Sequence, residues 1–158
     1  TRQVSSAASD VYKRQAYYSA FLANRGILNK LSFIKNENKK VDRPNSASKI
    51  QKTDWEKIHK SMIGVIEDPR GTARRLKSLK SYVVAAKSGT VELVSTETKE
   101  DYKIIRENMG NRDHAIIIAF GPMPNPKYAV SVVIENGESG GSVAGPVAIA
   151  VLNKLITE

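Results

Sequence analysis

Apolar positions first fall into a helical rhythm at Ala16, where Tyr17, Ala20, Phe21 and Asn24 share one face. Gly26 suits the C′ position that ends such a helix. Residues 36–52, "NENKKVDRPNSASKIQK", break the rhythm with a polar loop that carries almost no apolar side chains. The rhythm returns at Trp55, Ile58, Met62 and Ile66, a spacing that buries one helix face. Thr53 with Glu56 has the form of a capping box, and Pro69 and Gly71 in "EDPRGT" stop the helix.

Beyond Ser81 the period changes. Residues 82–94 read as a strand or a pair of short strands, and residues 96–111 as a charged connection with room for a short helix. "HAIIIAF", residues 114–120, is a continuous β-rich apolar run, which predicts an inner strand covered on both faces. "GPMPNP" turns the chain, "KYAVSVVIEN" (127–136) is a further strand, and Asn136-Gly137 stops it. "VAGPVAIAVLNKLI" predicts a closing helix with Pro146 in its first turn, where a missing N–H is harmless. Strands this closely connected pair antiparallel. The expected fold class is α/β of the α+β kind, an antiparallel sheet flanked by helices.

The first 15 residues, "TRQVSSAASDVYKRQ", stand apart and are expected to be a non-native or disordered tail, leaving 16–158 as the structured unit. No run approaches the ~18 consecutive apolar residues of a membrane span, and no signal peptide is visible. Without cysteine the chain has neither disulfides nor a thiolate metal site.

The formal charge of +9 is uneven. Residues 1–82 hold 18 Lys/Arg against 7 Asp/Glu, and residues 83–158 hold 7 against 9. Such asymmetry raises the possibility of a basic module that binds nucleic acid or an anionic surface. The lysines, however, sit among Asn and Ser with few aromatics for base stacking, which reads better as a solvated face and implies no nucleic-acid partner.

Among reactive residues, His59 and His114 lack metal-ligand spacing, so no metal or other cofactor is expected. "GESGGS" precedes a helix but lacks the lysine of a phosphate loop, and reads as a flexible turn. Lys87-Ser88-Gly89-Thr90, inside an otherwise apolar strand, is either an exposed bend or a strand lining a substrate groove.

The flanking order decides between these. "DPRGTARRL", "AAKSGTVEL", "RDHAIIIAFGPMPNPKYAVSVVIENG" and "GGSVAGPVAIAVLNKLI" together resemble the C-terminal part of a class B penicillin-binding protein of the rod-elongation type. "AYYSAFLANRGILNK" resembles that family's helix with its A-N-x-G ending. The likeness runs from about Gln15 to Glu158. Ala86, Ser88, Val91, Glu92 and the absence of aromatics in "AIII" depart from the family pattern. Ser88 keeps the hydroxyl of the usual threonine, while Val91, Glu92 and the missing aromatics bear on substrate preference.

The resemblance implies a partial penicillin-binding protein/serine β-lactamase-like fold and a peptidoglycan D,D-transpeptidase working through an acyl-serine intermediate. It implies that Lys87 and Ser88 bind a terminal carboxylate and assist proton transfer. Gly89 gives clearance, and the Thr90 N–H serves the oxyanion hole. Partners implied are the D-Ala-D-Ala stem peptide, β-lactams and the cell-elongation machinery. The implied location is the periplasmic face of the bacterial inner membrane, with the anchor outside this chain. A serine β-lactamase-like or β-lactam sensor domain shares the triplet and is the alternative, though the D-H and E-N-G segments favour the transpeptidase. His114 matches a family position and is expected to be structural. Two S-x-x-K strings, starting at Ser32 and Ser46, lie too close before Lys87 to match the family's order, and no S-x-N occurs. Both are expected to be chance matches, with the nucleophile outside this sequence.

Overall fold

The computed structural model describes residues 2–27, 49–94 and 98–157. Ser32 and Ser46 lie outside the described residues.

Among the described residues three strands form one antiparallel sheet in the order β1 (Ala85–Val91), β2 (His114–Gly121), β3 (Tyr128–Ile134). Their register pairs Lys87 with Ile118 and Gly89 with Ile116, and across the second ladder Ile117 with Val132. β2 is the central strand, as its unbroken apolar run predicts. Ala115, Ile117 and Ala119 are buried toward one face, while Phe120 is buried toward the other.

Helix α4 (Gly145–Thr157) covers the first face, its Ala148, Ile149 and Leu152 packing with Val84, Ala86, Ile117 and Val130. The 18 residues Gly140–Thr157 are long and apolar enough to cross a membrane by composition. In this fold they form a core helix whose Val143, Val147 and Val151 remain exposed. Helices α1 (Arg2–Ala23) and α2 (Lys52–Glu67) cover the second face, where Ala23, Met62, Ala85 and Phe120 form a second cluster.

Several expectations shift in detail. The helix of α1 begins at Arg2, not Ala16, so the backbone of the segment expected as a tail is helical. Its Ala, Gln, Arg and Lys content suits that conformation. Among the described side chains of α1, Ser19 and Ala23, one turn apart, are buried deepest. Tyr17, Ala20, Phe21 and Asn24 are only half-buried, because small residues let the helix approach the sheet. The helix ends with Gly26 N–H on Phe21 O (2.9 Å) and Arg25 N–H on Leu22 O (3.2 Å). That pair of bonds makes Arg25 (φ 53°) the C′ residue, with Gly26 (φ 85°) following it.

The Thr53–Glu56 capping box does not form. Lys52 is already helical, the N-cap is Gln51, and its side chain makes no capping bond. Trp55, Met62 and Ile66 are buried as the spacing predicts, and Phe21 meets the Trp55 ring edge-on at 5.7 Å. β1 is shorter than residues 82–94, because the segment before it is diverted: the Tyr82 hydroxyl donates to Asn153 (2.8 Å) and Val83 O accepts from Met123 N–H (2.9 Å). The expected short helix is α3 (Lys99–Ile105), capped by the Thr98 hydroxyl accepting from Asp101 N–H at 3.1 Å.

Candidate active site

Lys87, Ser88, Gly89 and Thr90 occupy the second half of β1, an end strand whose outer edge bears no other strand among the described residues. The strand pleat sends alternate side chains to opposite faces. Ala85 belongs to the α1/α2 cluster and Ala86 to the α4 cluster, so Lys87 and Gly89 continue the α1/α2 side and Ser88 and Thr90 the α4 side. A single carboxylate that meets both the Lys87 ammonium and the Ser88 hydroxyl therefore sits over the open edge of the strand.

Lys87 is exposed and lines a groove of about 510 Å³ with Arg14, Gln15, Tyr18, Gly89, Ile116 and Ile118. Its Nζ donates to the Ser88 carbonyl, which holds the ammonium along the strand. It also borders a second, more polar groove of about 700 Å³ that includes Lys60, Ser61, Arg70 and Thr72. The lysine is thus not stacked into the core, as a mere packing residue would be, but stands between two grooves.

The Ser88 hydroxyl lies 2.8 Å from the Thr72 hydroxyl. Thr72 comes from the G-T-A segment between α2 and β1, and no role for it was legible in the sequence. Gly89 is sterically free: a β-carbon there would first meet Ile116 Cβ, at 3.8 Å. Thr90 is exposed, and its hydroxyl donates to Glu138 O at 3.3 Å.

The turn after β3 braces this edge. "GESGGS", expected to be a flexible turn, is instead packed: Gly140 and Gly141 are buried, and the π-helical turn Gly140–Ala144 leads directly into α4. A β-carbon on Gly140 would lie 2.6 Å from Gly89 O and closer still to Ile116 O. Glu138, held at φ 60°, accepts a hydrogen bond from Arg106 Nη2 on Oε2 (3.0 Å) and forms an ion pair with Arg106 Nε at 2.8 Å from Oε1. Near the far end of β1, buried Asp113 accepts from the Tyr102 hydroxyl (2.8 Å) and from Leu93 N–H (3.3 Å). The hydrogen bond that the Tyr102 phenol donates to the Asp113 carboxylate, with burial behind it, holds the phenol above its ordinary pKa, since ionising it would forfeit that bond.

His114, expected to be structural, makes a hydrogen bond between elements. Its Nδ1 accepts from Asn136 N–H at 3.0 Å, tying the start of β2 to the turn after β3. His59 is buried and donates from Nε2 to Leu22 O (2.8 Å), linking α2 to α1, with its ring 5.3 Å from that of Phe120. Among the described residues no group of three or more His, Cys, Asp or Glu could hold a metal ion.

An edge strand carrying ammonium, hydroxyl and glycine in sequence, on an antiparallel sheet helix-covered on both faces, is the frame of the acyl-serine enzymes. Residues 13–153 match the family described as penicillin binding protein transpeptidase domain, and the chain belongs to that family. Its curated relatives include peptidoglycan D,D-transpeptidase MrdA of Escherichia coli K12, 37% identical over 89 residues, which are 56% of this chain and 14% of the relative. MrdA of Salmonella typhimurium LT2 is 34% identical over 101 residues, 64% of this chain and 16% of that protein. The chain thus spans about a sixth of such a relative's length.

Among solved structures, Pseudomonas aeruginosa PBP2 in complex with WCK 5153 superposes with a TM-score of 0.67 at 32% identity, covering 89% of this chain and 29% of that one. The PBP2 of a PBP2–MreC complex from Helicobacter pylori gives 0.69 at 27%, covering 90% and 24%.

Proposed function

We propose that this chain is the C-terminal portion of the transpeptidase domain of a PBP2-type peptidoglycan D,D-transpeptidase. Its role is to supply the substrate-binding edge of the active site, while the attacking serine belongs to a segment outside this sequence. The observation that carries the reading is the placement of Lys87-Ser88-Gly89-Thr90 on an open-edged strand beside two grooves. In this reading the segment that precedes the family match at residue 13 is a non-native extension.

In the reaction this reading implies, the serine oxygen attacks the carbonyl of the penultimate D-alanine of a stem peptide. An ester forms, the amide bond breaks, and the terminal D-alanine leaves as its amine takes up a proton. An amine of a neighbouring stem then attacks the ester, forming the cross-link and returning the serine. Lys87 offers a fixed positive charge to the terminal carboxylate and to the proton transfers, and Ser88 offers a hydrogen-bond donor to the same carboxylate. Gly89, with no side chain on the groove side, lets the substrate backbone lie close. The Thr90 N–H contributes to the oxyanion hole.

β-Lactams acylate the same serine. The elongation machinery is the partner in this reading, in line with the MreC complex of the Helicobacter PBP2. The site of action is the periplasmic face of the inner membrane, with the anchor outside this chain.

Labelling with a fluorescent penicillin tests the assignment. The full-length protein that carries this chain should be labelled covalently at a serine preceding it in sequence, and the 158-residue chain alone should not be labelled. Stoichiometric labelling of the short chain mapped to Ser32 or Ser46 would show that the nucleophile is present after all.

A further inference from the structure

We infer that Thr72 is the positioning residue for the Ser88 hydroxyl, orienting its proton toward the carboxylate of the substrate. The inference rests on the transpeptidase reading above and adds to it a residue outside the triplet.

A serine hydroxyl has one proton and can donate it in only one direction. The Thr72 and Ser88 oxygens are 2.8 Å apart, so one donates to the other. With the groove empty either order is possible. When a carboxylate sits against Ser88, its proton is committed to the anion, and the Thr72 hydroxyl must then be the donor. The resulting chain, Thr72 O–H to Ser88 oxygen and Ser88 O–H to carboxylate, polarises the serine and strengthens its bond to the anion. Without Thr72 the Ser88 hydroxyl is a free rotor, and its oxygen loses that donor.

The backbone of Thr72 is built to hold the hydroxyl still. Gly71 before it is wedged against the carbonyls of Gly64 and Val65, where a β-carbon would come within 2.6 Å of Gly64 O. Gly71 N–H bonds Asp68 O (2.8 Å), and Ala73 N–H bonds Val65 O (3.0 Å). From the other side Gly141 closes on Thr72 O, leaving 2.5 Å to where its own β-carbon would be. Threonine's branched Cβ further restricts χ1. Yet Thr72 itself is exposed and borders the same polar groove as Lys87, so its hydroxyl is poised at a surface and not serving a core.

The experiment uses the full-length protein carrying this chain, with Thr72→Val, Thr72→Ser, Thr72→Ala and Ser88→Ala variants. Acylation is followed with benzylpenicillin and with its methyl ester, which lacks the free carboxylate. Thr72→Val should slow acylation by benzylpenicillin about five- to tenfold, the loss of one supporting hydrogen bond. The loss should fall in the apparent binding constant and not in the limiting rate. The ester should respond less than about twofold, Thr72→Ser should restore the rate, and Thr72→Val should add nothing in the Ser88→Ala background.

Equal losses for both probes, or a loss that persists without the Ser88 hydroxyl, would mark Thr72 as merely structural and overturn the inference. No loss at all would do the same while leaving the transpeptidase reading intact. Failure of the wild type to be acylated would remove that reading and the inference together. Should Thr72→Val fold poorly, Thr72→Ala carries the same comparison.

Discussion

Gly140 lies directly on the backbone of Gly89, so close that a β-carbon at Gly140 would stand 2.6 Å from the Gly89 carbonyl oxygen and 3.0 Å from its nitrogen. Both obstacles are backbone, and so is the Ile116 carbonyl beside them, so nothing can swing aside. The two glycines therefore divide their tasks. Gly140→Ala should destabilise the chain by about 3 kcal/mol or more, because overpacking against the central strand forces β1 or the π-turn to move. Gly89→Ala should change stability by less than about 1 kcal/mol, since its nearest neighbour would be at 3.8 Å, an ordinary contact. Thermal unfolding of the two variants distinguishes a glycine the fold requires from one that only the substrate requires. Equal destabilisation would contradict this division.

Asn136 does the work of a clasp at the end of β3. Its side-chain amide donates to Arg112 O (2.8 Å) and Gly110 O (3.1 Å), while its N–H bonds His114 Nδ1. It sits at φ 57°, a conformation asparagine tolerates better than most residues. Asn136→Ala should cost about 2–3 kcal/mol, combining two lost bonds to backbone carbonyls with left-handed strain. Asn136→Gly removes the strain but not the lost bonds, and should fall between the two. A denaturant titration that ranks glycine below alanine would refute the strain component.

How far the sequence reveals this fold depends on how local each cause is. Ile116–Ile118 made β2 legible as an inner strand, because a run apolar on both alternations has to be covered on both sides. Lys87-Ser88-Gly89 was legible because the triplet is contiguous. Thr72 was not, since its bond to Ser88 spans 16 residues and exists only once Gly71 and Gly141 have packed. The packed role of Gly140 was hidden for the same reason, as "GESGGS" has the composition of any flexible turn. The capping-box misreading is local instead: Thr53 and Glu56 have the right spacing, but Lys52 already lies inside the helix and shifts the cap to Gln51.

The Glu67 carboxylate offers a pH test. Lys80, only 3% exposed in its side chain, donates to Glu67 Oε1 at 2.5 Å, and Lys77 reaches Oε2 at 3.2 Å. Lys80 foremost, together with Lys77, holds the Glu67 carboxyl below its ordinary value of 4.5 despite partial burial. A folded-state pKa below the unfolded one contributes stability that is complete above the unfolded value. It is lost as pH falls through the folded value. Wild-type stability should therefore drop on acidification below about pH 4.5, whereas Glu67→Gln should show a shallower acid limb. The same variant should lose about 1–3 kcal/mol at neutral pH, because the nearly buried Lys80 side chain exchanges a carboxylate partner for neutral acceptors, Tyr82 O (2.9 Å) and the new amide oxygen. Parallel acid limbs in the two proteins would exclude this origin.

β3 supplies the last prediction. It pairs with β2 along one side, and among the described residues no strand pairs with the other. A seven-residue β-branched edge, "YAVSVVI", presents unpaired N–H and C=O groups that a second copy can join. The 158-residue chain should accordingly associate in a concentration-dependent manner that static light scattering detects. Val133 is half-buried but belongs to neither core cluster, so a charge placed there disrupts edge pairing at small expense to the core. Val133→Lys should suppress association while lowering the thermal midpoint by no more than a few degrees. If the lysine variant associates as readily as the parent, the contact between copies runs through another surface. The exposed stripe of Val143 in the π-helical turn and Val147 and Val151 in α4 would be the next place to put the charge.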